Sequence, residues 1–350
     1  MKEFNRTAIV MIAALILLFM VSCASQPEKK AWDLVWPLPP DEPKIKYVGS
    51  YRATEDVEEA AGVVESMFGE ENRTSLRKPY GVAVDAEGRI YVSDIGRVFV
   101  FDTKNKKLKF IGDEGMGKLR IPIGIAIAQN GNIYVADSSL DRVMVYDRNG
   151  KFITAIGHDG DFLAPAGVIV DDQRQRIYVA DARRHDVRAY GLNGELLMTI
   201  GKQGAGDGEF SFPSNVALDS RGDLYVADTM NFRVEVFSPD GKFLRKFGQQ
   251  GDAYGTFSRP KGIAVDSEDH VYVVDAAFNN FQIFDKDGNL LLFVGEAGRN
   301  PGQFLVPAGI ATDGQDRVYV VDQLNARVQV FQYLGSKKAR REDPQTKKTP

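Results

Sequence analysis

Between residues 79 and 335 the apolar positions come in short runs, each closed by a turn, and the runs fall into groups of four. In one such group they are Val216-Ala217-Leu218, Leu224-Tyr225-Val226-Ala227, Val234-Glu235-Val236-Phe237 and Phe243-Leu244-Arg245-Lys246-Phe247. Such runs, rich in β-branched and aromatic residues and split by Asp-x-x-Gly and Asp-Gly turns, predict antiparallel strands. The 3.6-residue periodicity that a solenoid of helices needs is absent. The region is predicted to be all-β.

The group itself repeats six times. Proline, one residue and glycine lead into an apolar alternation, an aspartate turn and Tyr-Val-x-Asp. The clearest copies are Pro79-Tyr80-Gly81-Val82-Ala83-Val84-Asp85, Pro260-Lys261-Gly262-Ile263-Ala264-Val265-Asp266 and Pro307-Ala308-Gly309-Ile310-Ala311. The leading prolines stand at 79, 122, 165, 213, 260 and 307. Four strands per repeat of this length predict the blades of a β-propeller.

The chain ends support a closed ring. The sixth copy has three strands, ending at Val328-Gln329-Val330-Phe331. Upstream of the first copy, Lys44-Ile45-Lys46-Tyr47-Val48-Gly49 nearly duplicates the first copy's fourth strand, Lys107-Leu108-Lys109-Phe110-Ile111-Gly112. This N-terminal strand is expected to complete the last blade, which protects the edges. The propeller is expected over 44–335, with a short helical insertion near 55–68.

Residues 1–22 read as an export signal: Lys2 and Arg6 make a positive start, and Ala8 to Val21 is apolar or small. Fourteen such residues are too few for a bilayer core of about 30 Å. The single cysteine, Cys23, follows directly and excludes an internal disulfide. The segment resembles the signal and lipobox of bacterial lipoproteins, which implies that Cys23 is acylated and becomes the mature N-terminus; an ordinary signal peptide is the alternative. By the same resemblance Ala24 and Ser25 imply the outer membrane. Residues 23–43, with Trp36-Pro37-Leu38-Pro39-Pro40, are expected to form a tether, unless Trp32 and Trp36 pack against the ring.

Cleavage after residue 22 leaves 42 basic and 47 acidic side chains. Six basic and two acidic residues lie in 336–350, which are expected to be a disordered tail. The remaining body, at about −9, argues against a nucleic-acid surface.

The recurring Gly-Val-Ala-Val-Asp, Tyr-Val-Ala-Asp, Asn-x-Arg-Val and Phe-Gly strings resemble NHL repeats over residues 77–335. The resemblance implies a six-bladed propeller and no single activity. The peptidyl-α-hydroxyglycine α-amidating lyases within this group hold a central zinc through histidines. Here His185 matches one ligand position, while Ser214, Lys261 and Ala308 occupy the blade-opening positions where the other ligands belong. His158 lies in a connection between blades, and His270 opens a second strand. No metal and no cofactor are expected.

An aspartate ends each second strand: Asp94, Asp137, Asp181, Asp228, Asp275 and Asp322. The pairs Asp94/Arg97, Asp137/Arg142, Asp228/Arg233 and Asp322/Arg327 are expected to be structural ion pairs. Asp186 and Asn280 replace arginine in two blades. The neighbouring loop tips carry Leu140, Met230, Phe232, Phe278 and Leu324, either packed between blades or exposed as a sticky rim beside Arg183, Arg184 and His185. The composite expectation is a lipid-anchored module of the bacterial envelope, monomeric within a larger complex, binding an envelope protein or peptide through this face. A channel-centred hydrolase or lyase on a small polar substrate is the alternative.

Overall fold

The computed structural model describes residues 32–58 and 74–335; the signal, Cys23, most of the insertion and the basic tail lie outside these residues. From Leu34 onward, six antiparallel sheets form the ring. Five of them run in chain order from the innermost strand outwards, as in Pro213–Leu218, Leu224–Asp228, Arg233–Phe237 and Phe243–Phe247. The sixth combines Pro307–Thr312, Arg317–Asp322 and Arg327–Tyr333 with the N-terminal strand Ile45–Tyr51. Tyr47 lies opposite Phe331, and their rings meet edge to face at 5.7 Å. The ring therefore closes where the duplicated strand indicated.

The proline-rich segment departs from the expected tether. Val35–Trp36 adds a fifth strand outside Ile45–Tyr51, and Trp36 meets Phe331 edge to face at 5.7 Å. Burial of the indole explains the docking, since an aromatic side chain removes a large apolar area from water. Of the predicted insertion, the described part is a single 3-10 turn, Thr54–Asp56.

Apolar layers fill the spaces between adjacent sheets, so both faces of the middle strands are buried. The second-strand tyrosines, among them Tyr178, Tyr225 and Tyr272, are completely buried. The Phe-Gly signature has a packing cause. After Phe247, Phe257 folds back over Gly248, where a Cβ would collide with its ring, and Phe210 covers Gly201 in the same way. The glycine of Pro-x-Gly likewise lets inner strands touch: a Cβ at Gly124 would lie 2.2 Å from the Ala166 carbonyl oxygen of the next blade. In the fourth blade Asn215 takes that glycine's place.

Candidate functional site

The loops entering each innermost strand and the turns leaving each second strand share one face. The repeated aspartates tie the two together. Asp137 accepts hydrogen bonds from the backbone N–H groups of Arg120 at 2.7 Å and Ile121 at 3.1 Å, and from Ser139 and Leu140 in the following turn. Asp275 does the same with Ser258, Arg259, Ala277 and Phe278. In four of the six blades the main partner of the repeated carboxylate is thus the backbone, which satisfies a buried acid there.

The expected arginine pairs form in two blades out of four. Arg233 lies 3.0 Å from Asp228, and Arg327 lies 2.7 Å from Asp322. Arg142 turns instead to Asp159 at 2.6 Å, and the Arg97 guanidinium lies 5.0 Å above the Phe110 ring. The carboxylates of Asp94 and Asp137 accept three and four backbone N–H groups, where those of Asp228 and Asp322 accept one each and take side-chain donors instead.

Where the arginine does bind, the entering loop changes. Arg233 and Asn231 occupy one oxygen of Asp228, and the carboxylate keeps only the Ser211 N–H from that loop. The next residue, Phe212, adopts φ 55° and donates its N–H to Nδ1 of His185 in the preceding blade at 3.1 Å. The sixth blade repeats the arrangement: Val306 has φ 51° and donates to Oδ1 of Asn279 at 2.8 Å. A positive φ is costly for such side chains, so the borrowed acceptors stabilise the unusual backbone. His185 and Asn279 directly precede Asp186 and Asn280, the two departures from the arginine pattern. Phe212, 45% exposed, stands at the mouth of the central channel with its ring edge against His185 at 4.5 Å.

That mouth opens into a cavity of about 560 Å³. Tyr80, Ile123, Ala166, Phe212 and Met230 give it a largely apolar wall, and Arg259 and Lys261 bring the charge. The hydroxyls nearby are engaged. Ser214 donates to the Lys261 carbonyl oxygen at 2.9 Å and Thr229 to the Pro260 carbonyl oxygen at 2.8 Å. Burial, reinforced by repulsion from Arg259 and Lys78, lowers the Lys261 ammonium to a pKa of about 8. Sequence reasoning placed Lys261 only as a missing zinc ligand and did not single out Phe212. The break in the Pro-x-Gly ring at Asn215 marked this sector.

The other predicted tip residues divide. Met230 and Leu324 are 52% and 62% exposed. Leu140 and Phe232 pack partly against inter-blade clusters, and Phe278 is half-buried. Arg183 is exposed, whereas Arg184 is held by Asp186 and the Gly160 carbonyl oxygen. His185 is buried, and His270 pairs with Asp266 at 3.0 Å. Among the described residues no three His, Cys, Asp or Glu side chains group as metal ligands.

Beneath the fourth blade's arginine, Glu235 is fully buried. Gln282 and Gln329 take the same place in later blades, and each amide donates to a loop carbonyl oxygen twenty-six residues earlier, at 2.9 and 2.7 Å. Glu235 accepts from the Gly208 N–H at 3.1 Å, but its Oε1 has no hydrogen bond, although Arg233 is 2.9 Å away. Burial raises its pKa to about 7 against the opposing pull of Arg233. The folded state therefore keeps a proton that the unfolded chain releases near pH 4.5, and stability falls as pH rises from 4.5 to 7. Glu235→Gln supplies the donor permanently. Relative to the native chain it should gain about 2–3 kcal/mol at pH 8 and little near pH 4.5. Urea midpoints at the two pH values check this, and a gain independent of pH would refute it.

Comparison with known proteins agrees on the architecture. The DUF5128 family model, described as a 6-bladed beta-propeller, matches residues 122–200 and 209–281. No curated protein matches the chain in sequence. A gluconolactonase from Xanthomonas campestris is 15% identical with a TM-score of 0.58, the match covering 82% of this chain and 98% of that one. Virginiamycin B lyase from Staphylococcus aureus is 14% identical with a TM-score of 0.55, covering 73% and 95%. An auxiliary nutrient binding protein from Bacteroides thetaiotaomicron is 15% identical with a TM-score of 0.56, covering 74% and 70%. At these identities the likeness is one of fold, and the titles span enzymes and a binding protein. By its six repeats, its closed ring of six sheets and these likenesses, the chain is a six-bladed β-propeller.

Proposed function

We propose that this chain is an extracytoplasmic binding module, held to a bacterial membrane through acylated Cys23, whose loop face takes a peptide segment of an envelope protein. The observation that carries the reading is the apolar cavity on that face, with Phe212 and Met230 at its rim and Lys261 and Arg259 inside its mouth. An aliphatic or aromatic side chain fits the wall, and a carboxylate beside it answers the two cations. Buried aromatic anchors beside a charged group are where binding energy concentrates at interfaces. The acidic body leaves nucleic acid aside. Outer-membrane residence, and a single copy working inside a larger assembly, belong to the same proposal.

Short peptides ending in leucine or phenylalanine, with the terminal carboxylate free or amidated, test it by fluorescence anisotropy. Free-acid peptides should bind, and amidation should weaken them about tenfold or more. Phe212→Ser and Met230→Ser should each cost a similar factor with the melting temperature nearly unchanged. Because the charged Lys261 is the binding form, affinity should decline as pH rises through about 8. Equal binding of acid and amide, or a melting loss that tracks the binding loss, would overturn the reading.

A further inference from the structure

Lys261 has an unusual place among the residues that follow the blade-opening prolines. The other five are Tyr80, Ile123, Ala166, Ser214 and Ala308. Its backbone is pinned by the Ser214 hydroxyl, while its side chain borders the cavity and makes no hydrogen bond or ion pair. Lys202 and Lys286, by contrast, lie exposed on the outer surface and pair with Glu209 and Asp287. The charged groups acting on Lys261 are Arg259 and Lys78, both cations, and no carboxylate offsets them. A lysine desolvated in an apolar pocket beside other cations becomes a nucleophile near neutral pH.

We propose that the Lys261 amine captures an aldehyde or ketone, whose apolar body fills the channel mouth, as a reversible imine. The inference rests on the channel mouth being the ligand site. In the first step the nitrogen lone pair forms a bond to the carbonyl carbon while the C=O π pair moves to oxygen, which takes up a proton. The nitrogen then gives up a proton, the carbinolamine loses water, and the C=N bond forms. One amine and one carbonyl yield one imine and one water, with no oxidant or reductant consumed. The open mouth supplies and removes the water. The depressed pKa agrees with this role, since the neutral amine is a substantial minority at pH 7 and dominates above pH 8.

The purified full-length chain, incubated with 3-phenylpropanal and cyanoborohydride, tests the inference by peptide mass mapping. Lys261 should be alkylated at least about tenfold faster than Lys202 or Lys286 at pH 7, with its rate levelling off above pH 8. Lys261→Arg should abolish that label while still binding free-acid peptides, because the positive charge remains. Labelling of Lys261 no faster than of the two exposed lysines would overturn the imine, whatever the peptides do. Selective labelling in a chain that binds no carboxylate peptide would sustain the imine and sink the peptide reading instead.

Discussion

Replacing Ile45 with aspartate should lower the melting temperature by about 5–8 °C, corresponding to roughly 3–5 kcal/mol. Ile45 is fully buried, lies opposite Tyr333 and belongs to the apolar layer between the fifth and sixth blades. A carboxylate there has no partner and costs the lost burial as well. Because Ile45–Tyr51 is the strand that closes the ring, the damage should spread beyond its own blade. Hydrogen exchange should show faster opening of Arg327–Tyr333 and of the facing fifth-blade strand Asn280–Phe284, with the third blade nearly unchanged. Val48→Asp is the control, since Val48 is 57% exposed on the same strand. If both substitutions cost the same, closure is not what stabilises the ring.

The second large effect lies at Arg233. Its guanidinium donates to Asp228 and to the carbonyl oxygens of Ala205, Gly206 and Glu209, and lies against Glu235. Arg233→Met removes the cation beside the fully buried Asp228 and Glu235, leaving Asp228 the Ser211 N–H and the Asn231 amide and Glu235 the Gly208 N–H, and should cost about 3–5 kcal/mol. Arg142→Met, with a fully exposed partner in Asp159, should cost less than about 1 kcal/mol. Adding Glu235→Gln to Arg233→Met should recover part of the loss, because one uncompensated charge is gone. Strictly additive effects would show that the two side chains do not share one network.

Loss of Arg233 should also reach the channel mouth. With Arg233 gone, Oδ2 of Asp228 keeps only the Asn231 amide, and the Phe212 N–H can return to its own blade's carboxylate, as the Ala164 N–H does with Asp181 at 3.0 Å. Phe212 would then leave its positive φ and its contact with His185. This ties the buried arginine to the geometry of the proposed binding rim.

The repeats, the number of blades and the strand that closes the circle were legible in the residues alone. Each blade carries the same alternation and the same turn chemistry, and these are local properties that no distant contact has to supply. The missing fourth strand of the last copy and its near duplicate before residue 50 made closure legible as well. The role of the aspartates was only half legible, because in four blades their principal partners are backbone N–H groups, which no side-chain pattern displays. Trp36 looked like part of a spacer because its partner, Phe331, is almost three hundred positions away.

The site followed the same division. Sequence alone marked the loop face and several of its tips, Met230 and Leu324 among them. Only the tertiary structure brought Phe212, Met230 and Lys261 from two blades to one cavity, and packed Leu140 and Phe232 partly between sheets. The physical reason is that exposure and charge environment depend on which neighbours a ring places side by side. The depressed affinity of Lys261 for its proton comes from burial and from Arg259 and Lys78 together, and Lys78 belongs to another blade. Local sequence determined the blades; the closed circle decided which of their side chains meet.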